Sequence, residues 1–251
     1  MKKKLGLPNI TLLAASSVQV DLVQDALKIS SYEIDFGAIK LLSSSKPKIK
    51  FPEIEYIHIP KMNLDGYCKL IIENLYEYFN TTHCLVIQDD GFVVNPDQWN
   101  NDFLNFDYIG APWTKTVSPP WTKTVSPKEN INIELVNNRV GNGGFSLRSK
   151  KFASVCKDLN FSDLKFKFSI NNEDIIICHY LYDYMKKKDI KFAPIKLASN
   201  FSMEHEKTNN QYGYDINKVF GFHGKHLANF FKKRFNKKKL FNELEVMDKN
   251  S

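Results

Sequence analysis

The residues best equipped for chemistry stand where an apolar run, His83-Cys84-Leu85-Val86-Ile87, gives way to Gln88-Asp89-Asp90-Gly91-Phe92. Two adjacent carboxylates repel each other unless one is protonated or a cation lies between them, and hard oxygen ligands suit magnesium or manganese. A divalent-cation site is one reading. A solvated Asp-Asp-Gly turn is the other. Asn171-Asn172-Glu173-Asp174 opens a second apolar run, Ile175 to Leu181. Acids at such a place either complement a helix dipole or present a carboxylate, aimed by neighbouring amides, that can take a proton from a hydroxyl. Val140-Gly141-Asn142-Gly143-Gly144 precedes Phe145-Ser146-Leu147-Arg148. Its glycines let the backbone approach a ligand closely, or else they make a tight turn into an antiparallel strand. Gly-x-x-x-x-Gly-Lys is absent, so no phosphate loop of that type is present. Phe220-Gly221-Phe222-His223-Gly224 reads as a loop with an accessible imidazole, a candidate partner for Asp90 in a cation site. His179 lies inside an apolar helical pattern and reads as a packed residue.

The elements that must position these groups follow from periodicity. Cys84 to Ile87 has the length and β-branched content of a strand buried on both faces, which puts the carboxylates at its carboxyl end, with Gly91 turning the chain. In open α/β sheets ligands bind at that edge. Ile10 to Ala15 is the first strand. Val18 to Ile29 is a helix whose Val20, Val23, Ala26 and Leu27 recur at helical spacing, with Asp21 near its start. Ala38 to Leu42 and Ile54 to Ile59 are further strands, and Leu64, Cys68, Ile71, Leu75 and Tyr78 mark one face of a helix from about Asp65 to Phe79. This order argues for a largely parallel sheet with helices on its faces. Beyond Gly91, Phe92 to Phe106 reads as a short helix, Tyr108 to Trp113 as a short strand, Lys151 to Leu159 as a helix and Ser199 to Asn217 as irregular. The octapeptide Pro-Trp-Thr-Lys-Thr-Val-Ser-Pro occurs at 112–119 and again at 120–127. Two copies are too few for a solenoid, and the second reads as an inserted surface loop.

A chain of 251 residues with 43% hydrophobic content can bury one substantial core, so one domain is expected. The net charge of +7 is concentrated in Lys2-Lys3-Lys4 and in the segment from Lys225, which leaves the body nearly neutral. A nucleic-acid-binding face is therefore not expected. Cys68, Cys84, Cys156 and Cys178 show no Cys-x-x-Cys spacing and fit reduced thiols in a cytoplasmic protein. Met1-Lys2-Lys3-Lys4 before an apolar run superficially resembles a secretory leader, but Pro8-Asn9 interrupts it and the run is short, so a buried strand is preferred. No stretch approaches the ~20 apolar residues of a membrane span. Residues 225–251 form a basic aromatic tail. It reads either as a peripheral contact with an anionic membrane or as a solvated helix packed on the body by its phenylalanines.

Taken together, Leu85-Val86-Ile87-Gln88-Asp89-Asp90-Gly91-Phe92, Asp107-Tyr108-Ile109-Gly110-Ala111-Pro112-Trp113, Val140 to Arg148, Asn172-Glu173-Asp174 and Phe220 to Gly224 resemble a family of glycosyltransferase-like domains catalogued as a domain of unknown function and similar to GT-A nucleotide-sugar transferases. The resemblance covers roughly residues 9–224 and implies a GT-A-type, Rossmann-like α/β fold with a mixed, mainly parallel sheet. It implies a glycosyltransferase moving a sugar from a nucleotide-diphosphate sugar, with UDP the expected nucleotide, to a hydroxyl of a glycan, lipid-linked or protein acceptor. Asp90 and His223 become the expected ligands of Mn2+ or Mg2+, and Asp89 a ribose or outer contact. Gln88 replaces the first acid of the family's Asp-x-Asp. Asp174 becomes the expected base of an inverting reaction, with Glu173 the alternative. Gly143 and Gly144 would border donor sugar and acceptor, and Ala15 and Ser16 the nucleotide base.

Three rival classes share these residues. A two-metal phosphohydrolase or sugar-nucleotide hydrolase would release product without consuming an acceptor. A retaining transferase would differ in product anomer. A non-catalytic carbohydrate-binding protein would bind metal and donor without turnover.

Overall fold

The structure, a computed structural model, describes residues 3–113, 139–204 and 218–234. Its first half follows the expected order: β1 (Leu5–Ser16), α1 (Val20–Ser31), β2 (Ile34–Ser43), β3 (Glu55–His58), α2 (Leu64–Lys69) and β4 (His83–Ile87). α2 continues through a π turn, Leu70–Asn74, and a 3-10 turn, Leu75–Tyr78. β5 (Gly91–Val93), β6 (Tyr108–Ile109), β7 (Ala111–Trp113), β8 (Arg139–Gly141) and β9 (Phe145–Ser149) follow. Then come α3 (Lys150–Cys156), α4 (Phe161–Phe168), α5 (Glu173–Ile175) with a π turn at Ile176–Tyr180, α6 (Tyr182–Lys187), α7 (Ile195–Phe201), β10 (Ser202–Met203), β11 (Gly221–His223) and α8 (Lys225–Arg234).

Six strands form the central sheet in the order β3-β2-β1-β4-β9-β6. β9 runs antiparallel to both its neighbours, and the other five strands share one direction. The fold is thus mixed α/β in a single domain with a mainly parallel sheet, as the sequence pattern requires. β1 shows how the core divides. Ile10, Leu12 and Ala14 point into one apolar cluster with Val23 and Leu27 of α1, whereas Leu13 and Ala15 point into another with Leu70, Ile71 and Leu75. β4 alternates in the same way: Leu85 and Ile87 face the first cluster, Cys84 and Val86 the second, and all five of its residues are buried. A strand sealed on both faces and both edges has one exit for polar side chains, its carboxyl end.

Several expectations change. Phe92 to Phe106 is not one helix. Phe92 and Val93 join β11 in a second, three-stranded sheet, β10-β11-β5, and short 3-10 turns follow at Pro96–Gln98 and Asn101–Asn105. The partner strand arrives from about residue 221, a contact that no local pattern announces. Tyr108 to Trp113 is two strands, one in the central sheet and one paired with β8. His223 sits on β11 rather than on a loop, and Ser199 to Met203 is helix and strand. Gly91 is needed for space rather than for a turn, because a Cβ there would meet Gly144 O at 2.8 Å and Phe222 O at 3.0 Å. The glycine-rich turn expected at 141–144 does lead into an antiparallel strand, and the residue with positive φ is Asn142 (66°).

All four cysteines are free and buried. α8 packs on the body through Leu227, Ala228 and Phe231, with the Phe231 ring stacked on Phe222 at 4.7 Å. The second copy of the octapeptide and the tail from 235 onward lie outside the described residues.

Candidate functional site

Asp90 and His223 meet. His223 Nε2 lies 3.2 Å from Asp90 Oδ1 and 3.1 Å from Gln88 Oε1, although 133 residues separate the acid from the imidazole. The meeting is built by backbone. β11 pairs antiparallel with β5 so that His223 faces Gly91, and Gly224 N–H donates to Asp90 O at 2.9 Å. Gln88, standing where the family pattern has an acid, turns its amide nitrogen to the Tyr67 hydroxyl at 2.9 Å and its oxygen to His223. Tyr67 on α2 therefore fixes the Gln88 amide, and Gln88 in turn orients the imidazole.

Charge in this cluster is partly screened, with 22% of the His223 side chain and 15% of the Asp90 side chain exposed. Burial alone would lower the His223 pKa, but the hydrogen bond and charge of Asp90, with Glu204 and Asp174 beyond, raise it. Burial would likewise raise Asp90, and His223 holds it below the usual carboxylate value.

Glu173 and Asp174, adjacent in sequence, part company in space. Glu173 Oε1 accepts from Arg148 Nη2 at 2.8 Å in a pair whose side chains are 0% and 6% exposed for arginine and glutamate. Arg148 lies under the Tyr108 and Phe152 rings, and its Nε donates to Ser146 Oγ. Desolvation pushes Glu173 up against the pull of Arg148, while the same pairing raises Arg148 and keeps it charged. Asp174 instead remains half-buried. Its Oδ2 accepts from Gly143 N–H at 3.1 Å and its Oδ1 from Ile175 N–H at 2.9 Å, which aims the carboxylate at the glycine turn.

Gly143 and Gly144 leave no room for side chains. A Cβ on Gly143 would lie 2.0 Å from Glu173 Oε1, and one on Gly144 would lie 2.2 Å from His223 Nε2. The turn thus touches both charged pairs. Ala15 and Ser16 end β1 on the same sheet edge. Ala15 packs in the core, and the Ser16 hydroxyl accepts from Val18 and Gln19 N–H at 3.3 and 3.2 Å. Asp89 lies between Gln88 and Asp90, half-buried. His179 is packed against Tyr180 and is remote from the cluster in its contacts.

Sequence reasoning overlooked three participants. Tyr67 stood on the unmarked face of its helix. Arg148 closes the motif from Val140, where nothing in the local pattern signals a role for it. Glu204, just past β10, is buried and pushed up to about 7 by desolvation, accepts a hydrogen bond from Trp113, and feels the charges of His223 and Asp174. An acid in an unpatterned stretch gives no signal of that kind.

Among the described residues no group of three or more His, Cys, Asp or Glu side chains forms a metal cluster. The donors at hand are one carboxylate, one imidazole and the Gln88 amide oxygen. Magnesium and manganese suit such a set, since they are commonly held by one or two protein ligands, with phosphate oxygens and waters completing the shell.

A family model described as "Protein of unknown function (DUF5672)" matches residues 53–223. No curated protein matches the chain. Among solved structures it is similar to the galactosyltransferase LgtC in complex with donor and acceptor sugar analogs, with TM-score 0.44 and 9% identity over 85% of this chain and 86% of that one. It is also similar to a glycosyltransferase involved in the glycosylation of the major capsid of PBCV-1, with TM-score 0.49 and 12% identity over 89% of this chain and 98% of that one.

Proposed function

The chain belongs to the DUF5672 family, and from the site it carries we propose that it is a metal-dependent glycosyltransferase, moving a sugar from a nucleotide-diphosphate sugar to an acceptor hydroxyl with inversion. One observation supports this above the others: Asp90 and His223 converge at 3.2 Å on the carboxyl edge of a mainly parallel sheet, with the Gly144 backbone pressed against the imidazole. Carboxyl edges of parallel strands are where α/β folds bind nucleotides.

The roles follow from position. Asp90 and His223, with the Gln88 oxygen beside them, would hold Mn2+ or Mg2+, and a bound cation supplies Lewis-acid charge to the departing diphosphate. Tyr67 and Gln88 keep the imidazole nitrogen beside Asp90. The Gly143-Gly144 backbone borders the donor sugar. Asp174, held by two amides, takes the proton of the acceptor hydroxyl as that oxygen bonds to the anomeric carbon and the bond to the diphosphate breaks. Glu173, paired with Arg148, fixes the start of α5, which carries Asp174. UDP as the nucleotide and the end of β1 as the nucleotide edge belong to the same proposal.

The test is a thermal-shift screen of nucleotide sugars with and without manganese. A donor at a hundredfold excess over its dissociation constant raises stability by about 2.7 kcal/mol. The shift should require manganese and vanish in Asp90→Ala. A shift of the same size in Asp90→Ala would remove Asp90 from the cation site.

A further inference from the structure

The three most exposed large apolar side chains among the described residues are Phe166 at 91%, Val18 at 81% and Leu64 at 57%. Two contacts string them along one side of the molecule. Met62 N–H donates to Ser17 Oγ at 3.0 Å, which brings the approach to α2 beside Val18. Lys165 Nζ pairs with Asp65 Oδ2, which brings Phe166 on α4 beside Leu64. Lysines flank the string. Lys46, Lys48, Lys61, Lys69 and Lys167 are exposed, and the Lys48 backbone N–H is fastened to Asp21 of α1 at 2.9 Å. Of the nearby acids, Asp21 is engaged by that amide, Asp65 by Lys165, and Glu73 by Lys69 and the Phe161 N–H, while Asp163 stands exposed at the start of α4. An open cavity of about 630 Å³ lies within the string, with Lys61, Asn63, Lys69, Asn74 and Tyr78 around an apolar floor that includes Leu70.

Exposed aromatic and aliphatic side chains ringed by lysines are what an interfacial surface presents to acyl chains and phosphate headgroups. A protein partner that covered Phe166 would gain nothing from so many exposed ammonium groups unless it were strongly acidic. An anionic bilayer offers both chemistries at once. We propose that the rim formed by Val18, Leu64 and Phe166 docks on the surface of an anionic phospholipid bilayer, with Lys61, Lys69 and Lys167 on its headgroups. The contact is peripheral, and among the described residues no helix is long and apolar enough to cross a membrane. Val18 lies two residues past the end of β1 and Leu64 shares α2 with Tyr67, so docking here sets the sheet's carboxyl edge next to the lipid surface. The inference does not depend on the transfer reaction, because it uses none of the residues assigned to it.

Sedimentation of the full chain with vesicles tests the rim. Wild-type protein should bind vesicles of phosphatidylglycerol and phosphatidylcholine in equal parts and bind pure phosphatidylcholine far less. Phe166→Ser with Leu64→Ser, and separately Lys61→Glu with Lys167→Glu, should each lower the partition coefficient by about tenfold or more. Both pairs are at the surface, and an unchanged melting temperature confirms folding. Failure of the wild-type chain to sediment, equal binding to neutral vesicles, or wild-type partition by both variants overturns the proposal. The last result would shift any binding to the basic segment beyond residue 234.

Discussion

Two pairs of opposite charges flank the same glycine turn, and they are built for different ends. Arg148 and Glu173 are 25 residues apart, dry, and clamped under aromatic rings. Asp90 and His223 are 133 residues apart, half-open, and shared with Gln88. A sealed pair has no way to exchange its partner, and its value lies in the geometry it enforces. A half-open pair can give up its mutual contact for a ligand. Sequence neighbours therefore differ more than sequence strangers: Glu173 belongs to the frame, and Asp174, one residue on, stands half-buried at the glycine turn.

The sharpest way to break this contrast is to cut the sealed pair. Arg148→Met should cost about 3–5 kcal/mol in urea denaturation, since it strands a buried carboxylate, and Arg148→Met with Glu173→Leu should recover much of that loss. A cost near zero for the single change would mean that the dry pair is not a framework element. Next in size, Asp174→Asn should leave donor-induced thermal shifts intact and lower turnover by about 100-fold or more, about 2.7 kcal/mol in the barrier. Full turnover in that variant would return the proton to another group, with Glu204 the first to examine.

Adding one methyl group on either side of the turn separates the two pairs directly. Gly143→Ala drives a Cβ at Glu173 and should lower stability by about 1–3 kcal/mol as the core is overpacked. Gly144→Ala drives a Cβ at His223, whose ring can swing outward, and should abolish the manganese-dependent shift at a stability cost of about 1 kcal/mol or less. Matching losses of stability and binding in both variants would erase the distinction.

The smallest effect lies at the other end of β4. His83 is buried between Thr82 Oγ1 and Phe106 O, and desolvation lowers its pKa. The unfolded chain then takes the proton first, so this contribution is full above about pH 6.5 and fades as pH falls toward the folded value. His83→Gln should flatten the stability profile between about pH 7 and 5 by less than about 1 kcal/mol. A profile that steepens in this variant would reverse the assignment.

The parallel half of the fold could be read from the chain because its signals are local. Apolar runs such as Cys84 to Ile87 and the helical spacing of Val20, Val23 and Leu27 need no distant partner to be recognised. Phe92 and Val93 failed that test, since what makes them a strand is β11, about 130 residues later in the sequence. The same limit governs the site. Asp90, His223, Asp174 and the glycines stood out by residue type, and the structure brings them to one turn. That Glu173 is the sealed acid follows only from Arg148 reaching it across the core, and Glu204 becomes visible only once β10, which it follows, lies beside β11.

The position of β11 has a consequence for how the protein is made. Every strand of the central sheet lies before residue 150, but His223 is translated some seventy residues later. A nascent chain can complete its scaffold while the imidazole that partners Asp90 is still unsynthesised, and amino-terminal parts generally fold first. Of the groups in the proposed cation site, the imidazole is therefore supplied last, after the whole central sheet has been made.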